Sequence, residues 1–190
     1  MKLANVLINH DISPNKISAA SIGFAAAAAA IMATATGVFA TLAAILLIQL
    51  RLICNLLDGM VAIEGGKQSE LGSLYNEFPD RIADSLLIVT LGYAAGDATL
   101  GWFATLAAAL TAYVRVFGGS LGLKQTFVGP MAKQHRMAVM TAGLALNIPE
   151  SLLFATHHAL YVALIIIAAG SVVTCITRTR IIAGQLKAAQ

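Results

Sequence analysis

Six long apolar stretches dominate this chain, and each is close to the ~20 residues that a helix needs to cross a bilayer. They are Ile17–Ala35, Val38–Leu57, Pro79–Ala95, Ala98–Phe117, Met137–Ala155 and Ala159–Thr177. Only 11% of the residues are charged, against about 25% in an ordinary soluble domain, which excludes a water-soluble globule. A transmembrane β-barrel would alternate apolar and polar residues, whereas these runs are unbroken. The sequence therefore predicts an all-α, polytopic membrane protein with six transmembrane helices.

The connections between these stretches are short, and 190 residues leave no room for a separate soluble domain. At the start of the chain, one helical face is shared by Leu3, Val6, Leu7 and His10. This pattern predicts an amphipathic helix lying in the membrane interface. Pro14 is then typical of the first turn of the next helix. We predict one membrane domain over residues 1–190, made of an interfacial helix (1–13), a six-helix bundle (14–177) and a cytoplasmic tail (178–190).

The basic residues predict the orientation of the chain. With six spans, all twelve Lys and Arg residues fall at or near one side, and the opposite loops that carry charge hold only Asp97 and Glu150. Because cytoplasmic loops carry the Lys and Arg excess, we expect both termini to be cytoplasmic and the protein to lie in a bacterial inner membrane. The basic residues lack the interleaved aromatics of a nucleic-acid site, so we predict lipid and no nucleic-acid partner.

Polar residues concentrate where the second span ends and the third begins. Arg51, Asn55 and Asp58 are spaced i, i+4, i+7 and so share one helical face. After a short polar loop, a second set recurs at every fourth position: Gly72, Asn76, Asp80 and Asp84. Ionisable residues within membrane spans are costly and usually functional. We therefore expect two neighbouring antiparallel helices to present carboxylates and amides to a common cleft at the cytoplasmic boundary.

Three carboxylates in one semi-apolar cleft repel each other, and a divalent cation relieves that repulsion. Oxygen ligands without His or Cys favour Mg²⁺ or Mn²⁺ over zinc, and such an ion typically holds substrate phosphates. The candidate metal ligands are Asn55, Asp58, Asn76, Asp80 and Asp84. The alternative is that these acids only pair with Arg51 and Arg81 at a helix end.

These residues resemble the signature of the CDP-alcohol phosphotransferase family, D-x-x-D-G-x-x-A-R-x8-G-x-x-x-D-x-x-x-D. The positions that correspond to the signature are Asn55, Asp58, Gly59, Ala62, Gly72, Asp80 and Asp84. The likeness extends to Ser13-Pro14-Asn15, which is similar to the family's entry to its first span. It also covers Gly129-Pro130-Met131-Ala132-Lys133, the loop before the fifth span, which leads to Arg136. The resemblance covers nearly the whole chain.

Two positions depart from the signature, since Asn55 replaces the first Asp and Ile63 replaces the Arg. Strict counting puts the last two family aspartates at Asn76 and Asp80. An insertion of about one helical turn puts them at Asp80 and Asp84 instead, which we prefer because it keeps both carboxylates. With three negative charges in place of four, we predict one metal ion, or a second that binds more weakly.

The resemblance implies transfer of a substituted phosphoryl group from a CDP-alcohol, usually CDP-diacylglycerol, to an acceptor alcohol, with release of CMP. It implies Asp84 as the general base, with Asp80 as the alternate. It also implies metal binding by Asn55, Asp58 and Asp80, with Asn76 a weaker ligand. The residues expected to line the nucleotide are Asp58, Gly59, Ala62 and Gly72.

The acceptor alcohol is not identified by the sequence. Arg115, Lys133 and Arg136 surround the loop between the fourth and fifth spans, where they either grip a phosphate or only orient the chain. Two other functions stay open, namely a non-catalytic relative that binds CDP-lipid and a small membrane transporter that uses the acids as an ion relay. A homodimer is compatible with the small residues of the spans.

Overall fold

The computed structural model describes residues 2–67 and 70–188, apart from the side chains of Lys2, Ser73 and Asn76. Within these residues the chain forms seven α-helices and no strand, so the all-α prediction is confirmed. In chain order they are α1 (Lys2–Asn9), α2 (Pro14–Thr34), α3 (Val38–Glu64), α4 (Gly72–Ala94), α5 (Ala98–Ser120), α6 (Lys133–Phe154) and α7 (His158–Ala188).

Five of the described helices, α2, α3, α5, α6 and α7, are long and apolar enough to cross a membrane. The prediction of a multi-pass membrane protein is therefore confirmed, but the count of six apolar spans is not exact. The difference lies in α4, which begins at Gly72 and carries four charged residues within eight positions, Glu77, Asp80, Arg81 and Asp84. Charges at this density lower the mean hydropathy of the helix below that of its neighbours.

Helix α7 also differs from its predicted extent. The last apolar stretch ends at Thr177, and residues 178–190 were expected to form a tail, yet α7 continues to Ala188. Hydropathy marks only the apolar part of a helix, whereas backbone hydrogen bonding continues through the polar turns that follow. Arg178, which the sequence assigned to the tail, is consequently a helical and buried residue.

The chain divides into two compact units, of which the first covers residues 1–87. In this unit α2 and α1 both pack against α3. Ala4 of α1 joins Ile17, Leu57 and Val61 in a buried apolar cluster, while Leu3 on the other side of α1 is 54% exposed. This split between a packed face and an exposed apolar face agrees with the amphipathic helix expected from the sequence.

An ion pair links the segment after α3 to the connection between α1 and α2. Lys67, after α3, donates a hydrogen bond of 2.5 Å to Asp11, between α1 and α2. That bond and the lysine charge hold the pKa of Asp11 below its ordinary value. The pair is exposed at the aspartate, so it contributes little to stability and mainly restrains the chain after α1.

The second unit covers residues 88–190, and in it α5 and α6 both pack against α7. Small residues let backbones approach closely, as expected for helices in a membrane. At the α4–α5 turn, a Cβ added to Gly92 would lie 2.5 Å from the Cα of Gly101. Glycine is therefore required at this crossing.

Replacing Gly92 by Ala is predicted to destabilise the protein, because the added methyl group has to push the backbone at Gly101 away. Overpacking of this kind costs about 1–3 kcal/mol, which thermal unfolding in detergent would detect as a lower Tm. The matched control is Gly23→Ala, since a Cβ at Gly23 meets nothing within 4 Å. Equal Tm values for the two variants would contradict the close approach.

Candidate active site

The polar face of α3 is turned into the protein. Arg51 is fully buried and Asp58 is 5% exposed, whereas Ile53 and Leu56 between them are 43% and 64% exposed. The spacing i, i+7 puts Arg51 and Asp58 on one side of the helix. The outward apolar residues suit a helix that faces lipid, and the burial of Arg51 and Asp58 agrees with the shared face expected from their spacing.

Helix α4 turns its acids inward in the same way. Asp80 and Asp84 are 8% and 4% exposed, while Phe78 and Ile82 are 62% and 46% exposed. Pro79 lies inside α4 and does not end it, although a proline removes one backbone hydrogen bond from a helix. The backbone of Asn76 thus belongs to the same continuous helix, and its side chain, a candidate metal ligand, lies outside the described residues.

The two polar faces meet through Arg51. Its Nη2 atom donates a hydrogen bond of 2.7 Å to Oδ1 of Asp84 and lies 3.5 Å from Oδ1 of Asp80. One turn along α3, the amide of Asn55 donates to the same oxygen of Asp80 at 3.1 Å. The structure therefore brings Asn55, Asp80 and Asp84 together around one buried guanidinium.

Asp58 is held from a different direction. The hydroxyl of Ser18 on α2 donates to Oδ2 of Asp58 at 2.6 Å, and the backbone N–H of Gly59 donates to Oδ1 at 2.7 Å. Sequence analysis did not single out Ser18, because one serine in an alanine-rich span is more often a packing residue. The sequence does show that Ser18 lies four residues after Pro14 and on the same helical face as Ser21. The structure shows that this face of α2 is buried.

The donor set can be tested against a divalent cation. Three carboxylates and one amide oxygen, without sulfur or imidazole, fit Mg²⁺ or Mn²⁺. In the conformation seen, Arg51 supplies positive charge to Asp80 and Asp84. Within residues 2–67 and 70–188, no three His, Cys, Asp or Glu side chains are grouped as a metal site. The donor atoms thus fit Mg²⁺ or Mn²⁺ by their chemistry. The positive charge that the structure shows between α3 and α4 is that of the Arg51 guanidinium.

The residues expected at the nucleotide lie along the adjoining helix ends. Gly59 and Ala62 follow Asp58 on α3, and Gly72 begins α4. A Cβ added at Gly59 would meet nothing within 4 Å, so the space beside it is open. Glycine at an open surface lets a ligand approach the backbone.

A cluster of buried arginines occupies the second unit. Arg136 is 1% exposed and donates to the hydroxyl of Thr111 at 3.3 Å and to the carbonyl of Met131 at 2.9 Å. Arg178 is 4% exposed and donates to the carbonyl of Thr111 at 2.6 Å. Both guanidiniums thus meet at Thr111, and Arg178 is a member that the sequence prediction missed.

The loop between α5 and α6 packs on the same cluster. Arg178 also donates to the carbonyls of Phe127 and Val128 at 3.2 and 2.9 Å. Arg115 donates to the side chain of Gln125 at 2.5 Å, and its guanidinium lies 4.9 Å from the ring centre of Phe127. Lys133 is half-buried at the start of α6. The described contacts of Arg115, Arg136 and Arg178 include uncharged oxygens and the ring of Phe127.

Known proteins resemble this chain over most of its length, although no family model matches it. Archaetidylinositol phosphate synthase of Aeropyrum pernix is 38% identical over 149 residues, which cover 76% of this chain and 72% of that protein. Inner membrane protein YnbA of Escherichia coli is 26% identical over 144 residues, covering 75% and 72%.

Solved structures show the same fold. Phosphatidylinositol phosphate synthase of Mycobacterium tuberculosis with CDP-DAG bound has a TM-score of 0.76 at 19% identity, covering 95% of this chain and 92% of that chain. The structure of that protein with manganese and citrate also has a TM-score of 0.76 at 19% identity, covering 95% and 87%. Each of these matches covers more of both chains than the sequence relatives do.

The chain belongs to the CDP-alcohol phosphotransferase family, as the Asn55–Asp84 segment led us to expect. It is accordingly a multi-pass membrane enzyme of phospholipid biosynthesis, of the class that transfers a phosphatidyl group from a CDP-alcohol. Because the chain belongs to this class of enzymes, the buried acids are not interpreted as the ion relay of a transporter.

Removing either partner of the Arg51–Asp84 pair is predicted to destabilise the protein, because the remaining charge stays buried. Arg51→Met and Asp84→Asn should each cost about 3–5 kcal/mol. The double variant should cost clearly less than their sum. Thermal unfolding of the single and double variants measures this coupling.

The control for this double-mutant cycle is Arg81→Met. The side chain of Arg81 is 28% exposed, and its Nη2 atom lies 3.9 Å from Oδ2 of Asp80. Its effect on Tm should be small, as for other partly exposed ion pairs. Additive costs for Arg51→Met and Asp84→Asn would show that the two side chains do not interact.

Proposed function

We propose that this protein transfers the phosphatidyl group of CDP-diacylglycerol, or of another CDP-linked lipid, to an alcohol that carries a phosphate. The observation that carries the proposal is the meeting of Asn55, Asp80 and Asp84 at Arg51 within the family motif. In the reaction, the acceptor oxygen bonds to the lipid-bearing phosphorus. The bond from that phosphorus to the bridging oxygen breaks, and CMP leaves with the electron pair.

The ion of this site is proposed to be Mg²⁺ or Mn²⁺, held by Asn55, Asp58 and Asp80, with Asn76 as a further ligand. When bound, it neutralises the pyrophosphate and the charge on departing CMP. We propose a single ion, because three carboxylates and the Arg51 guanidinium leave two negative charges. Asn55 can supply a carbonyl oxygen to the ion but adds no charge.

The general base is proposed to be a carboxylate of α4. The sequence favoured Asp84, with Asp80 as the alternate. Both acids lie within ion-pair distance of Arg51, Asp84 at 2.7 Å and Asp80 at 3.5 Å, and Asp84 is proposed as the base because Asp80 is already a proposed metal ligand. On this assignment Asp84 accepts the proton of the acceptor hydroxyl, and its hydrogen bond with Arg51 keeps it in position.

The acceptor is proposed to be a phosphorylated polyol. Arginine forks bind phosphate oxygens in pairs, and Arg115, Arg136 and Arg178 are concentrated around Thr111 and the α5–α6 loop. The named relatives include two synthases of inositol phosphate lipids, which makes inositol phosphate the first acceptor to test. Lys133 is proposed to add charge at the same place.

The remaining assignments follow from the family and from the sequence. We propose that Asp58, Gly59, Ala62 and Gly72 line the nucleotide and that residues 1–190 form one functional domain. The two termini and the site are proposed to face the cytoplasm of a bacterial inner membrane, where the nucleotide stays in water and the lipid chains stay in the bilayer. The working form is proposed to be a homodimer.

Purified protein given CDP-diacylglycerol, Mn²⁺ and inositol phosphate is expected to release CMP and to form a new lipid. Asp84→Asn should lower the rate of CMP release per folded molecule by about 10²–10⁴-fold, the usual contribution of a general base. Asp11→Asn is the control, because Asp11 is exposed and belongs to the α1–α2 connection. Mass spectrometry of the lipid identifies the acceptor.

Tight binding of CDP-diacylglycerol without CMP release, for every phosphorylated and unphosphorylated alcohol tried, would favour the non-catalytic alternative.

Arg136→Lys is expected to raise the KM for a phosphorylated acceptor by about 10-fold or more, because the two-pronged contact with phosphate is lost while the charge remains. The KM for CDP-diacylglycerol should not change. Lys124→Gln, an exposed residue of the α5–α6 loop, is the control. An equal rise in both KM values would remove Arg136 from the acceptor site.

A further inference from the structure

Ser18 lies at an unusual place for a hydroxyl, because it is buried inside a membrane helix and bonded to an acid of another helix. Its exposed fraction is 4%, and that of Asp58 is 5%. The Ser18 hydroxyl has two acceptors in reach, Oδ2 of Asp58 at 2.6 Å and the carbonyl of Pro14 at 3.2 Å. The shorter contact to the charged oxygen is the stronger one. The proton of Ser18 is therefore directed at Asp58.

The packing around this contact sets its register. Ile17, which precedes Ser18, and Leu57, which precedes Asp58, belong to the same buried apolar cluster as Val61. Two side chains packed beside the hydrogen bond keep α2 and α3 from sliding past each other. The Ser18–Asp58 distance is thus determined by the core and does not depend on the hydroxyl alone.

Both oxygens of Asp58 are held, since the N–H of Gly59 donates to Oδ1 at 2.7 Å. Two donors from two directions leave the carboxylate little freedom to rotate. A carboxylate that binds a metal ion is normally oriented by such a partner, and loss of the partner typically costs 10–100-fold in metal affinity or activity.

We propose that Ser18 is a positioning residue for Asp58, whose hydroxyl fixes the carboxylate in the orientation that binds the divalent cation. The proposal rests on the proposed function only in taking Asp58 as a metal ligand. Ser18 has no contact with substrate in this scheme and acts through Asp58. Removal of the Ser18 hydroxyl should lower the affinity for the divalent cation without changing which acceptor alcohol is used.

The test compares Ser18→Thr with Ser18→Val, two side chains of nearly the same shape that differ in the hydroxyl. Mn²⁺ binding to the purified protein is measured by titration without substrate, and the Mn²⁺ concentration for half-maximal CMP release is measured separately. Ser18→Val is expected to raise the Kd for Mn²⁺ and the Mn²⁺ concentration for half-maximal CMP release by about 10-fold each. For Ser18→Thr, both values should stay within about twofold of wild type.

The matched control is Ser21→Ala. Ser21 is fully buried, lies one turn further along α2 and donates to the carbonyl of Ser18 at 2.7 Å. Its loss tests the effect of removing a buried hydroxyl from α2, and the Mn²⁺ affinity should remain that of wild type. Tm values of all variants separate lost affinity from lost folding.

Equal Mn²⁺ affinities for the Thr and Val variants would overturn the role of Ser18, whatever their activity. If the wild-type protein binds Mn²⁺ but releases no CMP, the proposed function fails, while the Thr and Val comparison still decides the role of Ser18. A wild-type protein that binds no Mn²⁺ would overturn both proposals.

Discussion

The buried guanidinium of Arg51 is the interaction on which the first unit of this protein depends. It is fully buried in a largely apolar helix, and its Nη2 atom lies 2.7 Å from Asp84 and 3.5 Å from Asp80. Charges inside a membrane protein persist only when they are paired. Arg51 therefore compensates the charge of two buried carboxylates on α4.

The three helices around this pair contribute different kinds of constraint. Helix α3 supplies the residues that meet α4, and α2 supplies the hydroxyl that holds Asp58. The apolar cluster of Ile17, Leu57 and Val61 fixes the register of α2 against α3. Catalysis of phosphoryl transfer depends mainly on positioning and on charge, and the packing of apolar residues next to the acids provides the positioning.

The second unit uses its charge differently. Arg115, Arg136 and Arg178 donate to amide, hydroxyl and carbonyl oxygens. Arg178 also links the α5–α6 loop to α7 through the carbonyls of Phe127 and Val128. The two acids of residues 88–190 are used at helix starts, where Asp97 accepts from the N–H of Leu100 and Glu150 from that of Ala159. The guanidiniums of Arg136 and Arg178 thus meet at Thr111.

The sequence by itself determined the helical class, most of the membrane spans and the family, because hydropathy and the spacing from Asn55 to Asp84 are local properties of the chain. It also predicted the shared faces of Arg51, Asn55 and Asp58, since helical geometry follows from residue number. Only the tertiary structure decided which acid pairs with Arg51, that Ser18 bonds to Asp58, and that Arg178 joins the basic cluster. These contacts join residues 33, 40 and 67 positions apart, and such pairings depend on how whole helices pack, which no local pattern specifies.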